Sequence, residues 1–238
     1  MPQPAVVEAD ELSRDPAEPL TAHLIDLRER LLKSLFWWIL GSLFCYTWSA
    51  SILSWMAKAA GGVVFTQPAE AFLTRIKTAA FLGFVAALPF ILYQVWLFVA
   101  RALSPRFRRL CFGLAAASYL LFLLGAGLAV FIVVPAAMRF FLAFGSAEIR
   151  PLMTLTGYLG FVVSLALSFG AVFQLPIVLV ALNQMGLVSR RTLRSRWRYV
   201  YLLAFIVAAV LAPPDAFSQV ALAIPAIIVF ELTLFFLN

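Results

Sequence analysis

The chain has 238 residues, of which 64% are hydrophobic and 12% charged, with a formal net charge of +7. So little polar material cannot enclose a water-facing core, which makes lipid the main solvent and excludes a sizeable soluble domain. The basic excess reads as a topology signal with some attraction to anionic lipid, and not as a nucleic-acid interface.

Residues 1–19 carry Glu8, Asp10, Glu11, Asp15 and Glu18 among several prolines, a composition too polar and broken to pack. They are expected to form a flexible acidic lead-in. They lack the basic-then-apolar order of a cleavable secretion signal, so the first span is expected to stay as an anchor. From Leu20 to Lys33 the pattern turns helical, with Leu20, Leu24, Leu27 and Leu31 on one face and Asp26, Glu29, Arg30 and Lys33 on the other. This stretch reads as an interfacial helix capped by Thr21, with Asp26/Arg30 and Glu29/Lys33 pairs in the favourable acid-first order.

Six apolar stretches follow at about 31–55, 78–100, 110–134, 158–185, 199–212 and 217–237. The expected fold is therefore an all-α integral membrane protein, one six-helix domain over residues 20–238. Six crossings place both termini on one side. Thirteen of the 18 basic residues fall on that side, at Arg14 to Lys33, Arg101 to Arg109 and Arg190 to Arg198, which makes it the cytoplasm. The fifth stretch is short for a hydrocarbon layer of about 30 Å, so thinning, neighbour tilt or a snorkelling Arg198 must absorb the mismatch.

Ionisable and polar groups inside spans cost enough to need a cavity or a partner. Gln174 in the fourth span can line a groove or bond another helix. Glu231 is about 20 Å into the sixth span by helical rise and should be neutral or paired. Asp215, after Pro213 and Pro214, suits an N-cap. Pro89, Pro135 and Pro176 read as kinks or boundaries, and Trp37, Trp38, Trp55, Trp96 and Trp197 as interfacial or packing aromatics. His23 is the single histidine, and no HExxH, CxxC pair or phosphate loop occurs, so neither a metal nor a cofactor is expected. Cys45 and Cys111 are not expected to form a bridge. Work would have to draw on an ion gradient.

The run His23 to Leu31 (HLIDLRERL) closely resembles the amino-terminal motif of the TatC family, usually HLxELRxRL. Further stretches match the family in order: Gln67 to Lys77 (QPAEAFLTRIK), Pro89 to Phe98 (PFILYQVWLF), Phe169 to Pro176 (FGAVFQLP) and Ala212 to Pro225 (APPDAFSQVALAIP). The resemblance spans residues 22 to 236. It implies a curved, cup-like bundle in the bacterial cytoplasmic membrane that receives twin-arginine signal peptides. It also implies action with single-span Tat subunits of the TatA/TatB type, in a homo-oligomeric complex, driven by the protonmotive force.

Carried over residue by residue, the resemblance assigns signal-peptide binding to Asp26, Arg28, Glu29, Phe98 and Phe107, and partner docking to Ala212 and Gln219. Carboxylates suit the task because they hold guanidinium groups in a two-point geometry. The competing reading of Asp26 is a surface ion pair with Arg30, whose loss would matter little. The sequence departs from its relatives at Phe107, where many have a glutamate before paired basic residues. A ring face is a weaker partner for a guanidinium. A looser arginine requirement, compensation by Glu29, and a divergent paralogue with a narrower client set all stay open. A small-solute secondary transporter lacks the expected internal repeat, and an intramembrane hydrolase lacks paired catalytic groups within the spans.

Overall fold

The computed structural model describes residues 20–101, 105–145 and 152–236. The acidic segment 1–19 lies outside the described residues, as do Arg150 and the side chains of His23, Phe107 and the basic residues beside it. Helices follow in chain order: α1 Leu20–Ala59, α2 Pro68–Arg101, α3 Pro105–Leu128, a π-helical turn Ala129–Val133, α4 Val134–Leu142, α5 Leu155–Val172, α6 Leu175–Gln184, α7 Arg190–Ser195, α8 Trp197–Leu211 and α9 Ala216–Phe236. Among the described residues, five helical stretches are long and apolar enough to cross a membrane, and α8 is a shorter apolar helix of 15 residues.

The expected interfacial helix over Leu20 to Lys33 is not a separate element. It is the first part of α1, which runs unbroken for 40 residues, about 60 Å. Neither proline nor glycine interrupts Leu20 to Leu40, so nothing in the chain favours a bend there. The third span also exceeds its expected end at residue 134. The π turn and α4, with Pro135 in its first turn, carry it on to Leu142. The fourth span is interrupted: α5 stops at Val172, and Gln174 is the N-cap of α6, with Pro176 unable to donate at the new start.

The helices end where local chemistry satisfies their free groups. Gly61 and Gly62 take positive φ after α1, and the Gly62 amide donates to Ala57 O at 3.1 Å. On the same side of the molecule, Val64 and Thr154 form an isolated parallel bridge, with Val64 N donating to Met153 O and Leu155 N to Val64 O. Glu70, in the first turn of α2, accepts from Thr66 N at 2.7 Å and Thr66 Oγ1 at 3.1 Å. Its other oxygen accepts from Thr156 N at 3.0 Å. One carboxylate thereby joins the α1–α2 loop to the start of α5.

The core centres on α5. Leu165 and Phe169 are fully buried and share a cluster with Met56 of α1, Ala129 and Val133 of the π turn, Ala208 of α8, and Leu222 and Ala226 of α9. Large apolar side chains cover the outside of α1, including Leu35, Ile39, Leu43 and Phe44. In water that surface would be a severe liability, but against lipid it is the expected exterior.

Candidate functional site

At the end of the molecule where α1 begins and α2 finishes, an ion pair is buried between the two helices. Arg30 Nε donates to Asp26 Oδ2 at 2.8 Å, with the two side chains 13% and 7% exposed. Arg30 Nη1 donates also to Gln94 Oε1 on α2 at 3.2 Å. The (i, i+4) spacing on α1 aligns the acid with the base, and the antiparallel run of α2 brings Gln94 opposite. Asp26 is thus buried, not displayed as an ordinary surface charge.

The neighbouring candidates are arranged differently. Arg28 and Glu29 are exposed, and Glu29 meets Lys33 only loosely at 3.8 Å, each side chain about 60% open to solvent. Phe98 lies one turn beyond Gln94 on α2 and is half-buried. Phe107 belongs to the first turn of α3 by its backbone, and its side chain is outside the described residues. Asp26, Arg30 and Gln94 are therefore brought together, while Arg28 and Glu29 face outward beside them. Gln94 was missed in the sequence reading. An amide inside the run PFILYQVWLF was the available signal, since a polar group there needs a partner.

Gln174 joins helices. Its Nε2 donates to Ser118 O on α3 at 3.0 Å and to Gly170 O at 3.3 Å. Ser118 Oγ in turn accepts from Trp96 Nε1 of α2 at 3.0 Å. The bond between helices, one of the two readings left open, is the arrangement observed at the break between α5 and α6.

Glu231 is paired, one of the two arrangements expected for it. Arg194 Nη1 donates to one carboxylate oxygen at 2.8 Å and the Tyr201 hydroxyl to the other at 2.7 Å. Arg194 sits on α7, just before the short α8, so Glu231 belongs to the charged layer at that end of α9 and not to an isolated interior site. The shortness of α8 sets that depth: at about 22 Å it draws α7 down beside Glu231.

Asp215 caps α9, accepting from Ser218 N at 2.7 Å. Ala212 is buried in the core at the end of α8, so it can meet a partner subunit only through its neighbours. Gln219 Nε2 donates to Phe205 O of α8 at 3.5 Å, tying α9 to the short helix. Ser168 of α5 donates to Leu211 O at 2.6 Å and fixes the same corner from the other side. Among the described residues no group of three His, Cys, Asp or Glu side chains is placed to hold a metal ion.

Residues 22–225 match the family model described as TatC, Sec-independent protein translocase protein. A Sec-independent protein translocase protein TatC of Magnetococcus marinus is 37% identical over 225 residues, covering 92% of this chain and 83% of that one. The TatC of Escherichia coli K12 is 36% identical over 233 residues, covering 94% and 90%. Among solved structures, a crystal structure of the twin-arginine translocase receptor TatC in DDM superposes with a TM-score of 0.80 at 32% identity. That likeness covers 91% of this chain and 99% of the crystallised one.

Proposed function

The chain belongs to the TatC family, and on that premise we propose that it receives twin-arginine signal peptides at the end of the bundle carrying Asp26, Arg28, Glu29, Phe98 and Phe107. It is a multi-pass inner-membrane protein and the core subunit of the twin-arginine translocase, working in a complex with other Tat subunits; it is not an enzyme. Neither a small-solute transporter nor a divergent paralogue is favoured beside that assignment.

The observation that carries the receptor reading is the buried Asp26–Arg30–Gln94 contact. Arg30 is held at two points, so it can lean on Gln94 when an incoming guanidinium competes for Asp26. The exchange gives Asp26 a new guanidinium partner, so its carboxylate is not left uncompensated, while Arg30 keeps the neutral Gln94 amide as its acceptor in place of the ion pair. Glu29, exposed and weakly engaged by Lys33, is the available second acid where Phe107 stands in place of the usual glutamate.

We read α8 as a sixth, short crossing of a cup-shaped bundle over residues 20–238, with the acidic segment 1–19 before it in the chain. Both termini then lie in the cytoplasm, a reading supported by the thirteen basic residues on that side. A single-span Tat subunit, TatA or TatB in type, docks beside Ala212 and Gln219 on the exposed α8 stripe Leu202, Ile206 and Val210, within an assembly holding more than one copy of this chain.

Photo-crosslinking from Asp26 and Phe107 to a twin-arginine signal peptide in membranes, with a twin-lysine peptide as control, tests the receptor site. Arginine-dependent adducts at both positions are expected. Equal yields from the two peptides would sink the claim.

A further inference from the structure

Where α1 ends, a cavity of about 310 Å³ lies between α1, the π turn, α4 and α5. Met56, Val134, Met138 and Val162 give it apolar walls, and Arg139 and Tyr158 line the same space. Val130 of the π turn lines it as well, and single π turns recur at functional sites. Tyr158 is only 8% exposed, yet among the described residues its hydroxyl makes no hydrogen bond. Nor is that hydroxyl sealed: among the described residues Ser218 Oγ is the side-chain oxygen both unpartnered and closed off. The little open surface of Tyr158 therefore belongs to cavity space, here and in an adjoining apolar cavity of about 330 Å³ that shares Met138 and Tyr158.

We propose that this cavity binds one anionic phospholipid of the surrounding bilayer, its phosphate accepting from Tyr158 and Arg139 and an acyl chain lying against Met56, Val134 and Val162. Buried hydroxyls are almost always hydrogen-bonded, so Tyr158 calls for an acceptor from outside the chain. Charge at this end of the bundle favours an anion. Arg139, in the last turn of α4, and Lys58, in the last turn of α1, meet no carboxylate among the described residues. The described acids at this end are already engaged, Glu70 by Thr66 and Thr156 and Asp215 by the cap of α9. An arginine takes phosphate oxygens at two points, and a tyrosine hydroxyl can donate to a third.

The surroundings select a lipid over a free anion. Trp55 and Leu142 line the cavity and are themselves exposed, and Trp55 meets the exposed Phe131 at 6.3 Å, so the rim is an apolar surface of the kind that faces hydrocarbon. Tryptophan at such a rim marks the interfacial level, where phospholipid heads lie. A free phosphate would leave the apolar walls uncovered. A transmembrane helix, about 10–12 Å across with its side chains, is too wide to enter.

Native mass spectrometry of the full chain in detergent, titrated with phosphatidylglycerol or phosphatidylcholine, is the test. Detergent micelles have no sides, so the readout depends neither on which terminus is cytoplasmic nor on signal-peptide binding at Asp26. Phosphatidylglycerol should be retained in preference. Arg139→Gln should weaken its binding about fivefold and Tyr158→Phe about tenfold, while Arg191→Gln on α7 leaves it unchanged. Ala59→Trp, which fills the cavity from α1, should lower occupancy by both lipids. Without lipid, Tyr158→Phe should unfold at the temperature of the parent chain, because the hydroxyl it removes has no hydrogen bond to lose among the described residues. A loss of stability there would show that the hydroxyl serves the fold, and would overturn the proposal. So would equal retention of the two lipids by the parent chain, or parental retention of phosphatidylglycerol by Arg139→Gln and Tyr158→Phe. A photoreactive group at Val134 that gives protein adducts and no lipid adducts in native membranes would overturn it too, placing a partner's acidic side chain in the cavity.

Discussion

Gly83 lies where α1 and α2 cross most closely, and its replacement by alanine should separate the two helices. A Cβ at Gly83 would overlap the backbone nitrogen and Cα of Ser42, and one at Gly41 would approach Gly83 O at 2.8 Å against an ordinary contact of 3.4 Å or more. Both obstacles are backbone, so relief requires parting the helices by about 1 Å, not a rotamer change. Overpacking of this kind costs about 1–3 kcal/mol, partly offset by the roughly 1 kcal/mol that alanine gains over glycine in a helix. Gly113 provides the internal comparison: it is exposed on α3 with nothing within 4 Å of an added Cβ, so Gly113→Ala should be neutral or stabilising. The same displacement would strain the Trp38 Nε1 to Ala80 O bond of 2.9 Å and the Trp37–Phe90 stack at 4.4 Å, and would draw Arg30 from Gln94. Thermal unfolding in detergent, with signal-peptide crosslinking from Asp26, reads both consequences. Equal stability and equal crosslinking for Gly83→Ala and Gly113→Ala would refute the close crossing as a constraint on the site.

Gln174→Glu sets a carboxylate against Ser118 O and Gly170 O, so it should destabilise by about 1–3 kcal/mol when ionised and recover at low pH; detergent unfolding across pH measures it. Asp215→Ala removes the acceptor for Ser218 N and should cost about 0.5–2 kcal/mol, with Asp215→Ser largely restoring the cap; thermal denaturation compares the two. Glu70→Ala should release the α1–α2 loop from the start of α5, speeding hydrogen exchange at Thr66 and Thr156 while leaving exchange in α9 unchanged.

Features whose physics is local were legible in the chain. Asp215 after a proline pair could be read as a cap because the cap and the capped amide are three residues apart. The Asp26/Arg30 pair followed from helical spacing, and the break at Pro176 from the missing amide hydrogen. Span positions followed from hydropathy and the helix over Leu20 to Lys33 from its periodicity, but not that the two join without a break into α1.

What was not legible are contacts that join distant stretches of chain. Gln94 lies 64 residues from Arg30, and Thr156 lies 86 residues from Glu70, so neither pairing leaves a periodic trace. Burial of Asp26 was hidden for the same reason: helical spacing states which face a residue occupies, but whether that face meets solvent or α2 depends on how closely the helices cross. Gly41 and Gly83 make that crossing close. Two glycines without side chains thus help to turn a surface ion pair into a buried one, and they bring the acid proposed to hold a signal arginine into a setting where the exchange of one guanidinium for another matters energetically.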